Sequence, residues 1–149
     1  MAHPALRKAS LVLFFAYVAT LIAAGAWGVV GARVDMWLLL RLHLDDVGPR
    51  AAANLLSQYR FLRAIELGFG LFALLHWREI YRVRHYNRLF LSVMACGIGA
   101  RLLGLAVDGR PSPSMYAFLG YELVAIVLIF LATRRAVAEP SLAAPAPSR

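Results

Sequence analysis

Six ionisable residues stand inside or at the edge of apolar runs. Arg60, Arg63 and Glu66 share one run, Arg101 and Asp108 belong to the next, and Glu122 lies in the last. In hydrocarbon such a group costs a few kcal/mol unless it pairs or faces water, so each is a functional candidate by default. Two chemistries fit these residue types. The arginines offer forked donors to the polar head of a ligand. A buried carboxylate, here Glu66 or Glu122, can act as general acid or base on a hydrophobic substrate, although an adjacent arginine favours its ionised form.

Spacing sharpens the grouping. At about 100° per residue, Tyr59, Arg63, Glu66 and Gly70 share a helix face. So do Gly97, Arg101, Gly104 and Asp108, and so do Phe118, Glu122 and Ala125 with Tyr121 beside them. At about 1.5 Å rise per residue, all these charges fall in one layer, toward the same ends of their helices. Three arginines face three acids, which predicts a net-neutral, mutually paired cluster between the second, third and fourth long helices. Such a network can equally do no more than set helix register. Gly68, Gly70, Gly97, Gly99, Gly104 and Gly120 are read as close-packing positions, or as space for a ligand.

The elements that must hold this layer are legible as apolar runs. A membrane-spanning helix needs about 20 mostly apolar residues. Four segments qualify: Ala9 to Val30, Ala51 to Trp77, Tyr86 to Val107 and Ser114 to Thr133. The shorter apolar stretch Met36 to Leu44 cannot span and reads as an interfacial helix, with Trp37, Arg41 and His43 at its surface. Gly48-Pro49 breaks the chain before the second run, and Asp108 to Pro113 is a tight turn by its Gly and Pro content. Trp27 and Trp37 fit one aromatic belt; His76, Trp77, Tyr81, His85 and Tyr86 fit the other. Residues 1–135 form one membrane domain, and 136–149, rich in Pro and Ala, are expected to be a disordered tail.

Composition agrees. The 149 residues are 61% hydrophobic, more than a soluble domain of this size needs. A net charge of +8 raises nucleic acid as a partner, but the basic residues flank apolar runs, which is an orientation signal instead. Arg7 and Lys8, then Arg78, Arg82, Arg84 and Arg88, then Arg134 and Arg135 mark one side, which places both termini in the cytoplasm. The first apolar run exceeds a signal-peptide core, so helix one is read as retained, although Ala24-Gly25-Ala26 resembles a cleavage site. The single cysteine, Cys96, cannot form a redox pair and reads as a packing residue. His43, Asp45 and Asp46 have metal-ligand types on one loop, too few to assign a metal site, and no cofactor fingerprint is present.

The order of Arg63, Gly97-Ile98-Gly99-Ala100-Arg101-Leu102-Leu103, Asp108-Gly109-Arg110-Pro111 and Tyr121-Glu122-Leu123 resembles a family of small bacterial four-helix membrane proteins catalogued as a domain of unknown function. The broader shape is similar to the DoxX-like group. The resemblance covers about Leu55 to Leu131 and implies the fold and the recurring positions Arg63, Arg101, Asp108, Gly109, Pro111 and Glu122. It implies no activity. Such sequences tend to carry a glycine pair after the helix-two arginine, where this chain has Ala64-Ile65-Glu66.

The fold expected is all-α: an integral membrane four-helix bundle with a short interfacial helix between helices one and two, in a bacterial inner membrane. The first functional reading is a binding site for a lipid-like or other amphipathic small molecule, lined by Tyr59, Arg60, Arg63, Glu66, Arg101, Asp108, Tyr121 and Glu122. A membrane enzyme using Glu66 or Glu122 is the second, and a structural subunit of a membrane complex or homo-oligomer the third.

Overall fold

A computed structural model describes residues 4–134. The tail expected over 136–149 lies outside the described residues. The described chain is helical: α1 (Pro4–Val30), α2 (Ala32–Leu38), a 3-10 turn (Leu44–Asp46), α3 (Pro49–Leu75), α4 (Trp77–Arg82), α5 (Arg84–Val107) and α6 (Pro113–Thr133). Prolines open α3 and α6, where the missing N–H costs nothing. Gly109, at φ 92°, supplies the left-handed residue of the α5–α6 turn.

Three of the long helices, α1, α5 and α6, are long and apolar enough to cross a membrane. The fourth, α3, matches α1 in length but carries Arg60, Arg63 and Glu66 near its middle. Large apolar side chains cover the outside. Leu103 keeps 64% of its surface exposed and Val30 79%, a distribution suited to lipid and costly in water.

Helix α1 is the central element. It packs along α3 on one side and α6 on the other, and α5 packs on α6. One core, built from Phe14, Val18, Ala73, Phe90, Ala125 and Ile129, joins all four long helices toward the α4 end. There α3 and α5 meet through stacked rings, Phe69 on Phe90 with centroids 5.3 Å apart. A second, smaller core of Ala32, Met36, Leu44, Ala52 and Leu56 fastens α2 and the 3-10 turn to α3 at the opposite end.

Several expected boundaries and roles move. The interfacial helix starts four residues earlier than expected and ends at Leu38, because the chain turns at Gly31 and again at Arg41, whose φ is 55°. The second long helix stops at Leu75, where His76 leaves helical geometry and starts α4. Tyr81 is not an interfacial anchor. It is buried in the core, and its hydroxyl lies 2.6 Å from Ser10 Oγ. Burial pushes the Tyr81 hydroxyl up to about 12, so it stays protonated for that bond at neutral pH. Cys96 is exposed on α5 and does not pack inside.

The glycine expectation is also redistributed. A Cβ at Gly70 would meet Ile22 Cγ1 at 2.8 Å, so Gly70 does mark a close approach. Gly68, Gly97, Gly99 and Gly120 have open space beside them instead. The closest approach of backbone is between α1 and α3 at Gly25, where a Cβ would lie 2.6 Å from the Leu67 nitrogen and 2.9 Å from the Arg63 oxygen. Backbone cannot move aside as a side-chain tip can. Gly25→Leu is therefore expected to destabilise the protein by about 1–3 kcal/mol through overpacking, whereas Gly97→Leu should lie within about 0.5 kcal/mol of wild type. Thermal unfolding of both variants in mild detergent checks the difference.

Candidate functional site

The charged layer forms two separate ion-pair clusters facing one cavity. The first is built on α3. Arg63 donates from Nη1 to Glu66 Oε2 at 2.6 Å, and from Nε and Nη2 to the Tyr59 hydroxyl at 2.8 and 2.6 Å. Tyr59 in turn donates to Asp35 Oδ2 at 2.8 Å, and Arg63 Nη2 lies 3.5 Å from the same oxygen. Asp35 Oδ1 accepts from Trp27 Nε1 at 2.9 Å. Asp35 is only 3% exposed, so these partners replace its water. Gly28 makes room for this cluster: a side chain there would collide with the stem of Arg63.

The second cluster joins α5 to α6. Arg101 and Glu122 form a two-bond fork, Nε to Oε2 at 2.8 Å and Nη2 to Oε1 at 3.1 Å. Parallel bonds of this kind fix orientation as well as adding attraction. The remaining nitrogen, Nη1, reaches only the Met115 sulfur at 3.7 Å, a weak acceptor.

Both clusters line a cavity of about 260 Å³ together with Tyr17, Thr20, Leu62, Phe118 and Tyr121. Leu39 and Leu40, just after α2, also line it. Ser112 and Ser114 donate to the Leu39 carbonyl at 3.2 and 3.4 Å, which ties that segment to the start of α6. Among the described residues, the Tyr17 and Tyr121 hydroxyls have no hydrogen-bond partner, and neither does Glu66 Oε1. Arg101 keeps 36% of its side-chain surface and Glu66 27%, so the polar atoms remain reachable.

Six of the eight expected site residues therefore line one cavity: Tyr59, Arg63, Glu66, Arg101, Tyr121 and Glu122. Arg60 does not. It is exposed, and its Nε donates to the Val29 carbonyl at 3.2 Å. Asp108 is exposed in a neighbouring depression beside Gly109 and Pro111, which shares only Arg101 and Met115 with the cavity. The expected single network between α3, α5 and α6 is thus replaced by two clusters, one of which draws a second acid from α2. Asp35 and Tyr17 were missed. Asp35 lies one residue before the stretch expected to form the interfacial helix, outside every apolar run, so the charge pattern of those runs does not reveal it. Trp27, expected in an aromatic belt, is 55% exposed yet commits its N–H to Asp35. His43, Asp45 and Asp46 are exposed and do not converge on a metal-binding point.

The model of a family described as a domain of unknown function, DUF4345, matches residues 8–133, which includes every residue of both clusters. The chain belongs to the DUF4345 family. No curated protein and no solved structure matches it. This DUF4345 chain is therefore read from its own geometry, and that geometry separates residues that sequence spacing had grouped. Asp35→Ala leaves Arg63, Tyr59 and Trp27 short of an acceptor and is expected to cost about 3 kcal/mol or more. Asp108→Ala, at an exposed position, should fall within about 0.5 kcal/mol of wild type. Parallel thermal melts of the two variants would settle the order.

Proposed function

We propose that this protein is a multi-pass membrane protein that binds an amphipathic small molecule, with an uncharged, oxygen-bearing head in the polar cavity and an apolar tail between the helices. The single observation behind this reading is the mismatch in hydrogen bonding on the cavity wall. The charges there are already neutralised in pairs, while Arg101 Nη1 and the Tyr17 and Tyr121 hydroxyls lack a good protein partner. An anionic head would have to compete with Glu66 and Glu122. A carbonyl or hydroxyl oxygen would instead accept from the unused donors without disturbing either pair. A volume of about 260 Å³ suits a head group, so a long tail must leave along the apolar wall beside Leu62 and Phe118.

The orientation with both termini in the cytoplasm belongs to the same proposal. It places the cavity in the outer half of the bilayer and the Arg78–Arg88 segment at the inner face, as the basic-residue bias favours. A bacterial inner membrane and a distant likeness to the DoxX-like group fit a small four-helix bundle of this kind.

Native mass spectra of the protein extracted in mild detergent test the binding reading. The wild type should retain a discrete neutral adduct. Tyr17→Phe, which removes only a hydroxyl, should weaken its retention about fivefold to tenfold, and Arg101→Met should abolish it, both with helical content unchanged. A wild type free of any adduct, or an adduct unaffected by Tyr17→Phe and Arg101→Met, would count against the proposal.

A further inference from the structure

A second groove lies between α5 and α6 at the end of the bundle remote from the cavity. Its volume is about 600 Å³. Arg84 and Arg88 from α5 and Arg134 from the end of α6 rim it, and Leu91, Val127 and Phe130 form its apolar floor. The order along each helix is regular: Arg84, Arg88 and Leu91 follow one face of α5, and Val127, Phe130 and Arg134 one face of α6. Among the described residues, no carboxylate lines the groove and none of the three arginines forms an ion pair. Arg84 also opens α5, where the helix dipole disfavours a cation.

Three exposed guanidinium groups thus rim one groove, and no acid among the described residues offsets their charge there. The opposite layer, where every buried arginine has an acid, shows the contrast. We propose that this groove binds an anionic phospholipid of the adjacent leaflet. Its phosphate would sit among Arg84, Arg88 and Arg134, and an acyl chain would lie over Val127 and Phe130, which are 51% and 50% exposed. A second copy of the chain is the poorer occupant, because a two-fold contact through this face would set the arginines of one copy against those of the other. A zwitterionic lipid carries its own cation and gains less from the rim.

The test uses the full-length chain in mild detergent, with equimolar phosphatidylglycerol and phosphatidylcholine of the same acyl length, read by native mass spectrometry. The wild type should retain phosphatidylglycerol preferentially. The triple variant Arg84→Gln/Arg88→Gln/Arg134→Gln should lose that preference, by a factor on the order of 100 at about tenfold or less per arginine. A charge-matched control, Arg33→Gln/Arg50→Gln/Arg110→Gln, should keep it. Should the triple variant fail to fold, each single variant should show a partial loss. Equal retention of the two lipids by the wild type, equal losses in the test and control variants, or a dimer that forms in place of lipid binding would overturn the proposal.

Discussion

Asp35 and Arg63 impose the tightest condition on this fold. A carboxylate with 3% of its surface exposed must have its lost hydration replaced, and three side chains do so: Trp27 from α1, and Tyr59 and Arg63 from α3. Meeting that condition fixes the angle at which α2 leaves α1 after Gly31. It also requires α1 and α3 to lie close enough for Gly28 to accommodate the Arg63 stem. The segment that follows α2 is then carried over the cavity, where the Leu39 carbonyl accepts from Ser112 and Ser114. One buried charge thereby positions the lining of the site and couples the start of α6 to the α1–α3 pair.

Charge is handled in opposite ways at the two ends of the bundle. In the layer around the cavity, each buried arginine is matched by an acid: Arg63 by Glu66 and Asp35, and Arg101 by Glu122. The charges there are paired, and what stays open on the cavity wall is hydrogen-bonding capacity. At the α4 end, Arg84, Arg88 and Arg134 surround an apolar groove without an acid among them. The two ends therefore offer different chemistry: paired charges with unused hydrogen-bond donors around the cavity, and guanidinium groups over an apolar floor at the groove.

The long helices were legible in the sequence because apolar length is a local property. So was the depth of the charged layer, which follows from counting residues along each run. Partners were less legible. Arg60 and Arg63 are three residues apart on one helix, and spacing alone places both near the same side. The position of α1 decides that Arg63 turns inward while Arg60 reaches only the Val29 carbonyl. Asp35 was hidden by an element boundary set at Met36: a polar residue in a presumed loop gives no sign that the helix has already begun. Glycines carry no direction in sequence, so spacing singles out Gly97 and Gly99 and passes over Gly25 and Gly28. Only the packed structure shows that the latter pair faces α3 and the former open space. The acid expected from Asp108 failed for a related reason, since α5 ends at Val107 and its last turn runs past the paired layer.

These pairings also bear on α3, which by composition is the least suited of the long helices to a membrane. Its face away from the bundle is apolar, with Phe61, Leu62 and Ile65 between 57% and 62% exposed. Arg63 and Glu66 turn toward each other, and Arg63 also turns toward Asp35, so lipid meets little unpaired charge from them. Arg60 is long enough to carry its charge along the helix surface to the polar end, as flexible basic side chains do at membrane boundaries. The cost of three charges in a span is set by their partners rather than their number. Here Arg63 is paired at 2.6 Å with Glu66 of the same helix, and Asp35 on a neighbouring helix adds a longer contact at 3.5 Å. The capacity of α3 to lie in a bilayer therefore draws both on its own Glu66 and on the α1–α2 segment that presents Asp35.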